Sequence, residues 1–114
     1  WAAAYIICGG CSDDGFIDFR SALVSLGRRT FEVAVDDPQT LADVSDQAIG
    51  ELRAGGEMFS NAAFLAHFNV TRSNMEIPPV PYADDPTGVP FDELRVMERH
   101  PKLAVAFRDA WCDA

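Results

Sequence analysis

SDDGFIDFRSALVSLG, residues 12–27, decides the fold class. Ser12 is a good helix N-cap, because its hydroxyl can accept from an amide that the first turn leaves unpaired. Asp13 and Asp14 follow where negative charge suits the positive end of the helix dipole, and they too can bond first-turn amides. Phe16, Phe19, Leu23 and Leu26 recur at three- or four-residue spacing, and Ile17 and Val24 widen the stripe, which is the pattern of an amphipathic helix. Gly27 stands where a helix-ending glycine belongs.

The segments on either side read the same way. Trp1 to Ile7 is too short for length to separate strand from helix, but its three alanines favour helix and Gly9-Gly10 would stop it. Arg28 to Val35 reads as a helix with Phe31, Ala34 and Val35 facing inward. It ends at Asp37-Pro38, because the residue before a proline avoids the helical region. Leu41 and Val44 anchor an otherwise polar connection. Ser45 caps a helix through Leu52 that Gly55-Gly56 terminates, and Met58 to Phe68 forms another with Phe59, Ala62, Ala63 and Ala66 on one face. Residues 78–90 hold five of the seven prolines and read as a stiff, irregular loop. Pro90 and Pro101 each suit the first position of a helix. The expectation is an all-α single domain of five or six short helices with a Pro-rich loop.

Composition narrows the function classes. The chain has 114 residues, 48% hydrophobic and 24% charged, enough for one core without disulfides or a structural metal. Eighteen acidic and nine basic residues give a net charge of −9, which opposes a phosphate backbone and argues against nucleic-acid binding. The run Trp1 to Cys8 is far short of the ~20 apolar residues that a membrane span requires. It also lacks the basic start of a signal peptide, and the cysteine count of three is odd; together these point to a reducing, cytoplasmic setting. Because the sequence starts at Trp1 and not Met, a further N-terminal segment is expected in the full-length protein.

The chemistry-bearing residues concentrate in GGCSDDGFIDFR, residues 9–20. The run WAAAYII, then GGCSDDGF, then DFR and Gly27-Arg28, resembles a bacterial domain family of unknown function, number 4240 in the series of such families. Asp37 to Asp43, Pro86 to Glu93 and Pro101 to Ala104 are similar to later segments of that family. The resemblance implies a small intracellular bacterial domain with a helical segment ahead of Trp1, and it supplies no activity.

Three readings of this block compete. In the first it is structural: the glycines turn the chain, Ser12, Asp13 and Asp14 bond amides, Asp18 and Arg20 tie the helix to its neighbours, and Cys11 is buried. In the second, Asp14 and Asp18, four apart on one helix face, hold a hard cation with help from Asp13 or Ser12. In the third, Cys8 and Cys11 form a dithiol ahead of a helix N-terminus, which lowers a thiol pKa, while Asp13 and Asp14 raise it. Cys112 and a histidine could complete a zinc site with them. His67 reads as a helix-face residue and His100 as a helix boundary. Trp1 and Tyr5 read as core, and Tyr82 as an exposed residue of the Pro-rich loop, itself a possible recognition surface. The leading expectation is a non-enzymatic protein-binding or regulatory module with no cofactor. The alternative is a metal- or thiol-dependent enzyme centred on Cys11, Ser12, Asp13, Asp14, Asp18 and Arg20.

Overall fold

A computed structural model of the chain describes residues 1–77, 79 and 88–111. Most of the Pro-rich stretch, with Tyr82, and Cys112 lie outside the described residues. The fold is all-α. Its α-helices are α1 (Ala2–Cys8), α2 (Asp13–Ser25), α3 (Arg28–Asp36), α4 (Asp46–Ala54), α5 (Gly56–Thr71), α6 (Val96–Arg99) and α7 (Pro101–Ala106). Two 3₁₀ helices, Pro38–Asp43 and Arg108–Trp111, complete the described elements, and no strand occurs among them.

α1 is the centre of the fold. Four of its seven residues, Ala3, Ala4, Ile6 and Ile7, are buried, as expected for a helix that is apolar on every side. It packs against α4, α6, α7 and both 3₁₀ helices. Leu41, Ile49, Leu52, Val96 and Leu103 close around it. Such a helix leaves carbonyls unpaired at its C-terminal end, and each must find a donor. Gly9 takes the left-handed conformation, φ 70°, and the Gly10 amide turns back to the Tyr5 carbonyl at 2.8 Å. The Trp111 Nε1–H donates to the Ile6 carbonyl at 3.0 Å. The Arg53 Nε–H donates to the Ile7 carbonyl at 2.9 Å, and its guanidinium lies 5.7 Å from the Phe107 ring centroid. Three successive carbonyls are thus capped by three separate parts of the chain.

The boundaries follow local chemistry. Ser12 and Ser45 accept from Gly15 and Ala48 amides at 3.1 and 3.2 Å and start α2 and α4. Asp37 is extended before Pro38, and its carboxylate accepts from the Gln39 amide at 3.0 Å. The Gln39 side chain in turn accepts from the Lys102 amide at 2.8 Å in the first turn of α7, and the Lys102 ammonium pairs with Asp43.

Several expectations change. Helix α5 begins at Gly56, not Met58, and runs on to Thr71, so Gly55-Gly56 does not separate α4 from α5 by a loop. Pro90 does not open a helix. Asp92 accepts from the Leu94 amide through its carboxylate and from the Arg95 amide through its carbonyl, a local turn that delays α6 to Val96. Ile17, Val24 and Val35 are exposed, because α2 and α3 bury only the narrower faces that carry Phe19, Ala22, Leu23 and Ala34. Trp1 and Tyr5 are not deep core. Trp1 is 39% exposed with its ring 4.7 Å from that of Phe16, while Tyr5 is half-buried, 5.2 Å from Phe91 and 5.0 Å from Trp111. The Tyr5 hydroxyl donates to Glu93, and a polar tip of this kind favours the rim of a core.

The tightest crossing is between α2 and α5. A Cβ on Gly56 would lie 1.7 Å from the Asp18 carbonyl oxygen, so only glycine lets the two backbones meet. Gly56→Ala should therefore force the helices apart and lower stability by at least about 1–3 kcal/mol, the usual cost of overpacking. Gly50 lies within α4, and nothing stands within 4 Å of the corresponding Cβ position. Gly50→Ala should raise stability by about 0.5–1 kcal/mol. Thermal and denaturant melts of the two variants should move in opposite directions.

Candidate functional site

The end of α1, the start of α2 and the α4–α5 junction enclose an open cleft of about 380 Å³. Its walls include Cys8, Cys11, Ser12, Asp18, Arg53 and Glu57. The turn at Gly9-Gly10 brings both cysteines to one side. A Cβ on Gly9 would come within 2.9 Å of the Ala110 carbonyl oxygen, so this turn is also pressed against the C-terminal 3₁₀ helix.

Of the six sequence candidates, Cys11, Ser12 and Asp18 line the cleft, while Asp13, Asp14 and Arg20 do not. Ser12 is committed to capping α2 through Oγ. The Cys11 thiol donates to the Ser12 carbonyl at 3.3 Å. Asp13 and Asp14 were expected to bond first-turn amides; neither makes a hydrogen bond or ion pair with a described residue, and the Ser12 hydroxyl alone does that work. The Arg20 guanidinium lies over the Phe16 ring, 5.9 Å from its centroid, and Arg20 lines a different groove, between α2, α3 and α5. Asp14 and Asp18 therefore do not converge on the cleft, and among the described residues no three His, Cys, Asp or Glu side chains gather closely enough to hold one ion. His67 sits half-buried on α5 outside the cleft, and the His100 ring contacts the Val96 carbonyl at 3.0 Å.

Cys8 and Cys11 are free thiols. Burial pushes the Cys8 thiol up, the neighbouring Cys11 adds to this, and Arg53 partly offsets it. Burial likewise pushes the Cys11 thiol up; the Trp1 ammonium partly offsets this and Asp13 adds to the rise. Both sulfurs favour the protonated form, whereas nucleophilic attack and metal ligation use the thiolate.

Leu52, Arg53 and Glu57 were missed as cleft residues. They reach the block from α4 and α5, and the Arg53 contact with Ile7 spans 46 residues, so no local spacing marks it.

Residues 1–67 match the family model described as "Protein of unknown function (DUF4240)". The matched stretch covers α1 to α4 and most of α5, and so takes in every cleft residue named above. No curated protein and no solved structure matches the chain.

Two outcomes test this geometry. Ser12→Ala should cost about 0.5–2 kcal/mol, as lost caps do, and Asp14→Asn should cost less, since its carboxylate bonds no described residue; chemical denaturation of both variants measures the difference. The raised thiol pKa values also predict a pH dependence. The folded chain holds the thiol protons more tightly than the unfolded chain, so the thiol contribution to stability is present below the unfolded thiol pKa and is lost as pH rises through the folded values. The melting temperature should fall from about pH 8.5 upward, and the Cys8→Ser, Cys11→Ser double variant should lose less over that window.

Proposed function

Since the chain belongs to the DUF4240 family, for which no activity is described, we propose from its surface that it is a non-enzymatic protein-binding module. One observation carries the reading. Beyond its crossing with α2, helix α5 presents Met58, Phe64, Leu65, Phe68 and Val70 to solvent at 80, 38, 60, 45 and 84% exposure. Apart from His67, no ionisable side chain interrupts the helix from Met58 to Thr71. A chain with net charge −9 has ample charge for its surface, and leaving 14 consecutive residues almost free of it is the character of a contact face.

The alternative is a metal- or thiol-dependent enzyme at the Cys11–Asp18 block. Cys8, Cys11, Asp18 and Arg53 sharing a cleft favours it. Against it stand the raised thiol pKa values and the engagement of Ser12 and Arg53 in capping. The acidic surface speaks against a nucleic-acid partner, and the two free thiols fit a reducing cytoplasm. Among the described residues no helix is long and apolar enough to cross a membrane.

A photo-crosslinking residue placed at Phe68, in cells, should capture a discrete protein band that disappears in Leu65→Glu and persists in Cys11→Ser and Asp18→Asn. Capture no greater than from the same residue placed at exposed Gly50 would sink the binding reading.

A further inference from the structure

The groove between α2, α3 and α5 is separate from the cleft, and Met58, Phe64, Leu65, Phe68 and Val70, which carry the binding reading, do not line it. It has a volume of about 470 Å³, within the range of small-ligand pockets. Its form follows from side-chain size. Ser21, Ala62 and Ala63 are small and leave the space, while Val24, Phe31 and Phe59 wall it with apolar surface. Val24 and Phe59 remain 48 and 45% exposed, so these walls face water. Arg20 is the one ionisable side chain among the described residues that line the groove. Its guanidinium lies 5.9 Å from the ring centroid of Phe16, one turn back along α2, and makes no hydrogen bond or ion pair with a described residue. The ring engages the face of the guanidinium and leaves its N–H edge available. The Ser21 hydroxyl, next in the chain, also has no hydrogen-bond partner among the described residues.

Apolar walls and one unpaired cation select a ligand of one polarity. We propose that this groove binds a small monocarboxylate with an apolar tail, its carboxylate on the N–H edge of Arg20 and its tail along Val24, Phe31 and Phe59. The inference goes beyond the protein-binding reading and does not rest on it. A guanidinium holds a carboxylate through two parallel N–H···O bonds, and the contact with Phe16 already restrains the Arg20 side chain, so less freedom is lost on binding. A neutral head group would leave this charge unused, and a cationic one would meet it as a like charge. The tail adds to the attraction by removing the exposed parts of Val24 and Phe59 from water. On a chain of net charge −9 the long-range field favours cations over anions. A preference for an anion in this groove must therefore come from Arg20 at close contact.

Isothermal titration calorimetry of the purified, reduced protein tests this with octanoate, octanol and octylammonium, each kept below its micelle-forming concentration. The three share a tail and differ in the charge of the head. The expected order of affinity is octanoate, then octanol, then octylammonium. Octanoate should bind at least about tenfold tighter than octanol, as a charge-assisted hydrogen bond allows. Arg20→Gln should bring octanoate down to the level of octanol or below it and leave octanol where it was. Val24→Asp changes an exposed position four residues from Arg20 on the same helix. Its carboxylate should pair with Arg20, repel the ligand and abolish octanoate binding. Far-ultraviolet circular dichroism should show both variants folded, and if either is not, the wild-type ligand series decides the question by itself. Octanoate that does not bind, octanoate no tighter than octylammonium, or an affinity unchanged in Arg20→Gln would each overturn the proposal. Phe68 lies outside the groove, so crosslinking from Phe68 and this titration succeed or fail independently.

Discussion

The fold depends on burying α1 without stranding its carbonyls. A seven-residue helix with four buried apolar residues has little stability of its own, because forming the first turn is costly and so few residues follow it. Its neighbours hold it, and its C-terminal carbonyls fix where those neighbours must stand. Arg53 has to lie beside Ile7, Trp111 beside Ile6, and the Gly9-Gly10 turn beneath Tyr5. An unmatched buried carbonyl would cost about 1–3 kcal/mol, comparable to burying a whole aliphatic side chain. The position of α4, the direction of the C-terminal 3₁₀ helix and the entry into α2 all follow from this one requirement.

What could be read from the sequence divides along the same line. The serine caps, the Gly9 stop and the boundary at Asp37-Pro38 were legible, because Ser12, Ser45, Gly9 and Asp37 act on residues two to four positions away, whereas Pro90 did not open the helix its position suggested. The all-α class followed from them and from the spacing of Phe16, Phe19, Leu23 and Leu26. The roles of Arg53 and Trp111 were not legible, since their partners lie 46 and 105 residues distant. Gly56 misled for a related reason. A glycine pair beside a helix end reads as punctuation, yet Gly56 is there because the Asp18 carbonyl occupies the space of a side chain. Ile17 and Val24 fit the helical stripe by spacing alone, and spacing does not say how wide a face the neighbours will cover.

The candidate site shows the same division. The density of chemical groups in residues 9–20 pointed to the right place on the molecule, but the stretch is helical from Asp13 onward and its side chains fan out. Asp18 and Cys11 line one cleft, Arg20 lines another groove, and Asp13 and Asp14 make no hydrogen bond or ion pair with a described residue. A helix face selects every third or fourth residue, so a dense motif is divided among surfaces. The pressure on the cleft sulfurs comes mainly from burial, which a linear motif does not display.

The hydrogen bond from Trp111 to Ile6 has a consequence for the order in which the molecule can be made. α1 leaves the ribosome ahead of every other helix described here, yet one of the donors it requires is 105 residues behind it. At a synthesis rate of about 5–20 residues per second, that delay is roughly 5–20 s. Throughout it, an apolar helix with Ala3, Ala4, Ile6 and Ile7 has no finished core to enter. The nascent chain therefore exposes this apolar helix well before the residue that caps it. A chain that stopped shortly before Trp111 would leave the end of its central helix unsealed.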